Sequence, residues 1–264
     1  MDHLIVGGDR RMECLARLLA DRGADVAVWG HEARHGLDPA GPEALGRARN
    51  VIVNCHPRLP GRGMEIRELL KAVPAGARVF ACGPRHPDVE DDRLVDLWAD
   101  EELMLANARL TAEGAVASAM WASTKALGEM RCLVIGWGRI GRALTELLVA
   151  LGARVTVASR SETGRNRAVE RGAEGADTGT IAEVLPGHGL IYNTAPSMVL
   201  DEPALRSVDR DAMIIDLASP PYGVDLHGAW SLGLRAWREP GLPGRYCPQS
   251  AALALLRAME RHGL

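Results

Sequence analysis

The stretch Cys132-Leu133-Val134-Ile135-Gly136-Trp137-Gly138-Arg139-Ile140-Gly141 decides the fold of the second part of this chain. An apolar run typical of a buried strand leads directly into the pattern Gly-x-Gly-x-x-Gly, and apolar residues at helical spacing follow until Gly152. The first glycine of such a turn permits the tight bend, the second lets a pyrophosphate approach the backbone, and the third brings helix and strand close together. The helix N-terminus attracts the phosphates. The stretch therefore predicts a Rossmann unit whose Gly136, Gly138, Arg139, Ile140 and Gly141 contact a dinucleotide.

The residues after the next predicted strand, Arg154–Ala158, distinguish between the two nicotinamide dinucleotides. An NAD enzyme usually places Asp or Glu there to bind the ribose hydroxyls. This chain has Ser159-Arg160-Ser161 instead. A hydroxyl and a guanidinium suit a 2′-phosphate, which arginine can bind with two parallel hydrogen bonds. We therefore expect Ser159 and Arg160 to bind NADP rather than NAD.

Short apolar runs alternate with helical patterns along the whole chain, which favours parallel sheets covered by helices. We predict an α/β protein with two doubly wound domains, the second an NAD(P)-binding Rossmann fold. Residues 1–108 form a flavodoxin- or Rossmann-like domain that a C-terminal helix at 248–264 completes. A linker helix covers 109–128, and the nucleotide-binding domain covers 129–247. The predicted strands are Leu4–Val6, Asp25–Trp29, Val51–Asn54, Arg78–Ala81, Cys132–Ile135, Arg154–Ala158, Leu190–Asn193, Met213–Leu217 and Leu234–Trp237.

Composition narrows the class of protein. With a net charge of −3 and 47% hydrophobic residues, the chain is typical of a globular protein and does not indicate a nucleic-acid partner. Its cysteines are widely spaced, so neither a metal site nor a disulfide framework is expected. No signal-peptide layout opens the sequence, and no apolar run approaches the length of a membrane span. We expect a cytoplasmic protein without a membrane partner.

Six segments together resemble the A subunit of bacterial dipicolinate synthase, in order and in spacing, over nearly the full length. The later segments are more specific than the Rossmann motif alone. The segments are Gly7-Gly8-Asp9-x-Arg11, Thr111-x-Glu113-Gly114, Val134-Ile135-Gly136-x-Gly138-Arg139-x-Gly141, Asn193-Thr194-x-Pro196-Ser197-Met198, Asp216-Leu217-Ala218-Ser219-x-Pro221-x-Gly223-x-Asp225 and Pro240-Gly241-Leu242-Pro243-Gly244.

This resemblance implies an oxidoreductase of a spore-forming bacterium that acts in the mother-cell cytoplasm. It implies oxidation of the dihydrodipicolinate synthase product, a small dicarboxylate, to pyridine-2,6-dicarboxylate. It also implies a partner, the B subunit of dipicolinate synthase, and we expect a homo-oligomer. The chain departs from the family pattern at Leu110, where proline is usual, and at Gln249, where a lysine would suit a substrate carboxylate.

The candidate site residues fall into three groups. Thr194, Pro196, Leu217 and Ala218 lie at the carboxyl ends of predicted strands and are expected to line the nicotinamide, because open parallel sheets bind ligands there. The proton acceptor is left open among Glu113, Asp216 and His56, with the first two preferred. The substrate group is Asp9, Arg11, Thr111, Gly241 and Gly244, with Arg109 and Arg245 as further cations and with Asp9 and Arg11 expected to be exposed in a turn.

Two alternatives to a dipicolinate-forming enzyme remain open. One is another two-domain NADP-dependent dehydrogenase of a small carboxylate. The absence of a lysine at Gln249 leaves this alternative open. The other is a non-catalytic nucleotide-binding subunit, since no clear acid–base arrangement stands out in the sequence.

Overall fold

The computed structural model describes residues 1–30, 37–53, 66–83 and 89–264. The described strands are β1 (His3–Val6), β2 (Val26–Trp29), β3 (Asp38–Ala40), β4 (Asn50–Val53), β5 (Arg78–Ala81), β6 (Leu94–Asp96), β7 (Arg131–Ile135), β8 (Arg154–Ala158), β9 (Glu174–Ala176), β10 (Leu190–Asn193), β11 (Met213–Asp216) and β12 (Arg235–Arg238). The described helices are α1 (Arg10–Ala20), α2 (Ile66–Ala72), α3 (Glu101–Ala122), α4 (Arg139–Ala150), α5 (Glu162–Glu170), α6 (Ile181–Val184), α7 (Glu202–Leu205), α8 (Leu226–Ser231), α9 (Leu242–Tyr246) and α10 (Pro248–Arg261).

The chain divides into two compact units. Unit 1 comprises Met1–Asn107 and Pro243–Leu264, and unit 2 comprises Ala108–Leu242. Each unit contains one six-stranded sheet whose strands pair in parallel. The predicted fold class, α/β with two doubly wound domains, is confirmed.

Unit 2 has the strand order β9-β8-β7-β10-β11-β12. Successive residues of β7 enter different cores: Cys132 and Val134 belong to one apolar cluster, and Leu133 and Ile135 to another. A parallel sheet buried on both faces requires this, because neighbouring side chains of a strand point to opposite faces. The strand order reverses between β7 and β10, the point where such sheets bind ligands.

Unit 1 repeats this topology in the order β3-β2-β1-β4-β5-β6. The helix α10 supplies Leu255, Leu256 and Met259 to the apolar cluster that also holds Leu15 and Leu19 of α1. The two ends of the chain therefore build one core.

The long helix α3 differs from the predicted linker helix at 109–128. It begins earlier because Asp100 Oδ1 accepts a hydrogen bond from the Leu103 N–H at 2.8 Å, which satisfies an amide of the first turn. The segment starting at Thr111 lies inside α3 and begins no helix. Gly128 lies in a separate 3-10 turn, Leu127–Glu129, after α3 has ended at Ala122.

Within the described residues, no helix combines the length and apolar character needed to cross a membrane. The same part of the chain contains no cluster of His, Cys, Asp and Glu side chains that could hold a metal ion.

Candidate nucleotide-binding site

The glycine-rich turn after β7 has the backbone geometry that a phosphate-binding loop needs. Gly136 has φ 103°, a backbone conformation that residues with a side chain rarely adopt. At Gly141 a Cβ would collide with the carbonyl oxygen of Gly136, so only glycine lets α4 start this close to the strand. Gly138 is the N-cap of α4 and supplies no capping side chain, while space is open around its Cα. The first turn of α4 thus faces a gap that a phosphate can fill.

A cavity of about 710 Å³ opens beside this turn. It brings together six residues predicted to bind the cofactor, namely Gly136, Gly138, Ser159, Arg160, Thr194 and Pro196. The remaining lining residues are Trp137, Ala158, Ser161, Asp177, Thr178, Gly179, Ala195, Ser197, Met198 and Val199. The other predicted cofactor residues, Arg139, Ile140, Gly141, Leu217 and Ala218, are not among those that line it.

Two polar atoms of the cavity wall indicate that it is built for a polar ligand. Trp137 Nε1 and Thr178 Oγ1 are buried and have no hydrogen-bond partner within the described part of the chain. Such unsatisfied groups are rare in folded proteins. Together with the uncapped α4 and the exposed Arg160, they fit a ligand that combines phosphates with hydrogen-bonding rings. A nicotinamide dinucleotide has this chemistry.

The far wall of the cavity follows β10. Thr194 Oγ1 donates a hydrogen bond to the Ile135 carbonyl at 2.9 Å, which ties the start of this wall to the end of β7. The Asn193 side chain bonds to both backbone groups of Ala195, donating to its carbonyl at 3.1 Å and accepting from its N–H at 3.2 Å. The wall is therefore fixed from behind by Asn193.

Asp216 supports Asn193 in turn. The sheet register places Asn193, Asp216 and Arg238 in one row at the carboxyl ends of β10, β11 and β12. Asp216 has no exposed surface, and its carboxylate accepts from Asn193 Nδ2 at 2.8 Å and from the Ala218 N–H at 3.2 Å. The Arg238 guanidinium lies 3.4 Å from its other oxygen.

This geometry gives Asp216 a structural part beside its predicted role as a proton acceptor, which stays a prediction. Both carboxylate oxygens are engaged by donors, and the side chain is fully enclosed. Its structural part is to hold the ends of β10, β11 and β12 together. Leu217 and Ala218 are also buried, at 8% exposure each, so they act as packing behind the wall and not as its surface.

Arg238 extends the network to the loop after β11. Its guanidinium lies 3.5 Å from the centre of the Tyr222 ring, and Tyr222 has φ 67°, in the left-handed region. Gly223 follows, where a Cβ would lie 2.8 Å from the Ser197 carbonyl oxygen. The two loops, 193–199 and 216–224, therefore pack as one body.

In unit 1, Asp9 and Arg11 pair with each other, and only the Asp9 side chain is as exposed as predicted, at 37%. Asp9 is the N-cap of α1 and accepts from the Arg11 N–H at 3.0 Å. The Arg11 side chain folds back onto Asp9, with a 2.8 Å ion pair, and is only 17% exposed. Gly244 lies against the Asp9 carboxylate, since a Cβ there would meet it. Arg245 is exposed and lies over the Tyr246 ring at 5.5 Å.

The remaining predicted substrate and proton-acceptor residues that the structure describes lie in unit 2. Glu113 and Arg109 are exposed on α3, whereas Thr111 is buried there. Gly241 is exposed before α9. His56 lies outside the described residues.

Reasoning from sequence missed Asp177, Arg165 and Arg238. Asp177 follows β9, a strand that was not predicted, and Arg165 reaches the cavity edge from inside α5. Arg238 directly follows a predicted strand. Because open parallel sheets bind ligands at the carboxyl ends of their strands, this position could have been predicted.

A thiol and a phenol near the site are structural. Burial raises the pKa of the Cys132 thiol to about 12, so it stays protonated and unreactive. Burial likewise raises the pKa of Tyr192, whose hydroxyl donates to the Ala115 carbonyl at 3.1 Å.

Comparison with known proteins matches one family model and one curated relative. Residues 102–219 match the family model described as the NAD-binding domain of D-isomer specific 2-hydroxyacid dehydrogenases. The A subunit of dipicolinate synthase from Bacillus subtilis (strain 168), a curated protein, is 31% identical over 169 residues, which cover 64% of this chain and 57% of that relative's length. This chain is similar to the A subunit of dipicolinate synthase. The resemblance seen in the sequence segments is thereby confirmed.

Solved structures agree at the level of fold. The A subunit of dipicolinate synthase from Bacillus halodurans superposes with a TM-score of 0.83 at 23% identity, covering 99% of this chain and 97% of that one. The corresponding structure from Bacillus subtilis gives 0.79 at 24% identity, covering 99% and 95%. The matched NAD-binding domain supports the prediction of a pyridine-nucleotide-dependent dehydrogenase.

Proposed function

We propose that this chain is an NADP-dependent dehydrogenase that forms pyridine-2,6-dicarboxylate from the cyclic product of dihydrodipicolinate synthase. The observation that carries the nucleotide part is the cavity where the glycine turn, Ser159-Arg160 and the Thr194–Pro196 wall meet. The similarity to the A subunit of dipicolinate synthase supports the substrate part. We extend the proposal to a partner B subunit, to a homo-oligomer and to the mother-cell cytoplasm during sporulation.

In its dihydropyridine form the substrate loses a hydride from a ring carbon and a proton from a neighbouring ring atom, and the ring becomes aromatic. When bound, the nucleotide supplies the hydride acceptor. The chain itself binds the pyrophosphate at the start of α4 and orients the nicotinamide against Thr194 and Pro196. Aromatisation favours the reaction, so positioning is the main contribution that the protein has to make.

The substrate proposal can be tested with the purified chain, alone and with a candidate B subunit. Given the dihydrodipicolinate synthase product and NADP, we expect dipicolinate absorbance to rise together with NADPH. An NADP-free mixture and an NAD mixture are the controls. If neither the chain nor the pair forms dipicolinate while NADPH still binds tightly, the substrate proposal is wrong and a non-catalytic nucleotide-binding subunit is favoured.

The cofactor proposal depends on Arg160, which follows the end of β8. Arg154 offers a matched control because it is an exposed arginine at the start of β8. We expect Arg160→Ala to weaken NADPH binding over tenfold, since a charged hydrogen bond contributes roughly 1.5–3 kcal/mol. NADH binding should change little, and Arg154→Ala should change neither. Equal weakening of both nucleotides in Arg160→Ala would refute a contact with the 2′-phosphate.

A second candidate function is the oxidation of a small 2-hydroxy acid with the same cofactor. The matched family model favours it, and so does Gln249, which stands where a lysine would suit a dicarboxylate. A panel of 2-hydroxy acids assayed by NADPH formation discriminates between the two. Turnover of one of them without dipicolinate formation supports this second function.

A further inference from the structure

An acidic side chain lies at the end of the cavity where the 2′-phosphate is proposed to bind. Asp177 lines the cavity together with Ser159, Arg160 and Ser161, and half of its side chain is exposed. The sheet register explains this position, because Ala158 of β8 pairs with Ala176 of β9. Asp177 therefore follows β9 where Ser159 follows β8, at the same edge of the sheet.

A carboxylate in this place is unfavourable for a 2′-phosphate. Two anionic groups in one partly enclosed cavity repel each other more strongly than they would in bulk water. The same carboxylate favours a ribose hydroxyl, which can donate a hydrogen bond to it, as in NAD-binding sites. Left alone, Asp177 would thus oppose the preference that Arg160 confers.

Arg165 counters this charge from α5. Its Nη1 lies 3.1 Å from Asp177 Oδ2 and donates to the carbonyl oxygens of Ser159 at 2.8 Å and of Arg160 at 3.2 Å. The Arg165 side chain is 23% exposed, so solvent screens the pair only in part. One guanidinium thus balances the acid and fixes the turn that carries Arg160.

The other oxygen of Asp177 is held by the backbone. Asp177 Oδ1 accepts from the Gly179 N–H at 2.8 Å and caps the short turn at Thr178–Thr180. This bond keeps the carboxylate at the cavity edge whether or not Arg165 is paired with it.

We propose that the Arg165–Asp177 ion pair sets the preference of this cavity between NADPH and NADH. Arg165 is a positioning residue that neutralises Asp177 and thereby admits the 2′-phosphate. This inference rests on the proposed nucleotide-binding function.

The test measures the dissociation constants of NADPH and NADH, by nucleotide fluorescence, in four forms of the full chain. These are the wild type, Arg165→Gln, Asp177→Asn and the double variant. We expect Arg165→Gln to weaken NADPH by about tenfold and NADH much less, because the acid is then unbalanced. Asp177→Asn keeps the cap on Gly179 and should strengthen NADPH relative to NADH. The double variant should regain most of the NADPH affinity lost in Arg165→Gln.

Salt separates this electrostatic effect from a structural one. The NADPH loss in Arg165→Gln should shrink strongly between 0.05 M and about 1 M salt, where screening acts over about 3 Å. Arg165→Lys, which keeps the charge, should retain most of the wild-type ratio of NADPH to NADH affinity.

Two results would overturn the inference. One is equal weakening of both nucleotides in Arg165→Gln without recovery in the double variant, and the other is an unchanged NADPH-to-NADH ratio in Asp177→Asn. A wild type that prefers NADH contradicts the NADP proposal but not this inference. The inference is then tested by how the ratio of NADPH to NADH affinity changes among the variants. A wild type that binds neither nucleotide contradicts both.

Discussion

Asp216 illustrates how a single buried carboxylate organises the wall of a ligand cavity. It receives hydrogen bonds from Asn193 and from the Ala218 backbone, and it pairs with Arg238. Asn193 in turn holds both backbone groups of Ala195, which lines the cavity. The residue that the sequence offered as a proton acceptor thus acts through its neighbours.

We expect Asp216→Ala to lower the free energy of unfolding by about 3 kcal/mol, because it leaves buried donors of Asn193 and Ala218 without an acceptor. Asp216→Asn keeps one acceptor oxygen and should cost about half as much. Urea unfolding measures both changes. A wild-type unfolding midpoint in Asp216→Ala would contradict this account of the network.

Glu113 and His56 are the other candidates for the proton acceptor, and kinetics can separate the role of Glu113 from that of Asp216. If Glu113 takes the proton, Glu113→Gln should lower kcat by roughly 10²–10⁴-fold with nucleotide affinity unchanged. Asp216→Asn should instead weaken nucleotide binding through the loosened wall. An unchanged kcat in Glu113→Gln would remove Glu113 from the reaction.

At the scale of elements, helix ends depend on side chains that lie far away in the sequence. Asp100 caps the start of α3 and also binds Arg261 near the end of α10, with Oδ1 2.7 Å from Arg261 Nη2. His262 Nε2 lies 3.2 Å from the other oxygen. The hydrogen bonds from Arg261 lower the pKa of Asp100 from 3.8 to about 2.

This lowered pKa predicts a pH-dependent contribution to stability. A carboxyl group whose folded-state pKa is depressed stabilises the protein above its unfolded pKa and loses that effect as pH falls through the folded value. We expect wild type to be more stable than Asp100→Asn at pH 7 and the difference to close between about pH 4 and pH 2. Urea unfolding at several pH values measures it. A difference that is constant over that range would contradict the role of the charge.

The central strands were predictable from sequence, and three edge strands of three residues each were not. Arg78–Ala81, Arg154–Ala158 and Leu190–Asn193 have the predicted bounds because apolar residues fill them and both faces are buried. The missed strands Asp38–Ala40, Leu94–Asp96 and Glu174–Ala176 contain acidic residues, proline or glycine and are part-exposed. Their extended form comes from pairing with a neighbour, which local sequence does not record.

The candidate site, like the fold, could be predicted from sequence only in part. Glycine spacing located the phosphate turn and one wall of the cavity. Arg165 and Asp177, by contrast, meet only through the pairing of β8 with an unpredicted strand. The pairing of Arg11 with Asp9 was not predictable from sequence either, because it depends on where α1 begins and not on residue type alone.

At the scale of the whole molecule, each unit has its own core. Leu256 of α10 is fully buried in unit 1, and Leu148 of α4 is fully buried in unit 2. Truncating a buried leucine to alanine typically costs roughly 2–5 kcal/mol.

We expect these two substitutions to destabilise different units. In hydrogen exchange, Leu256→Ala should speed exchange in α1 and β1 while α4 and β7 keep their protection. Leu148→Ala should do the reverse. Equal loss of protection in both units from either substitution would show that they unfold as one.

The contribution of α10 to unit 1 also has a consequence for biosynthesis. The strands of unit 1 leave the ribosome first, yet α10 is translated only after all of unit 2. The apolar surface of α1 that α10 covers therefore stays exposed while unit 2 is completed. A released chain that ends at Leu242 should hold a folded unit 2 beside an unfinished unit 1, and chaperones that recognise apolar surface should bind the latter.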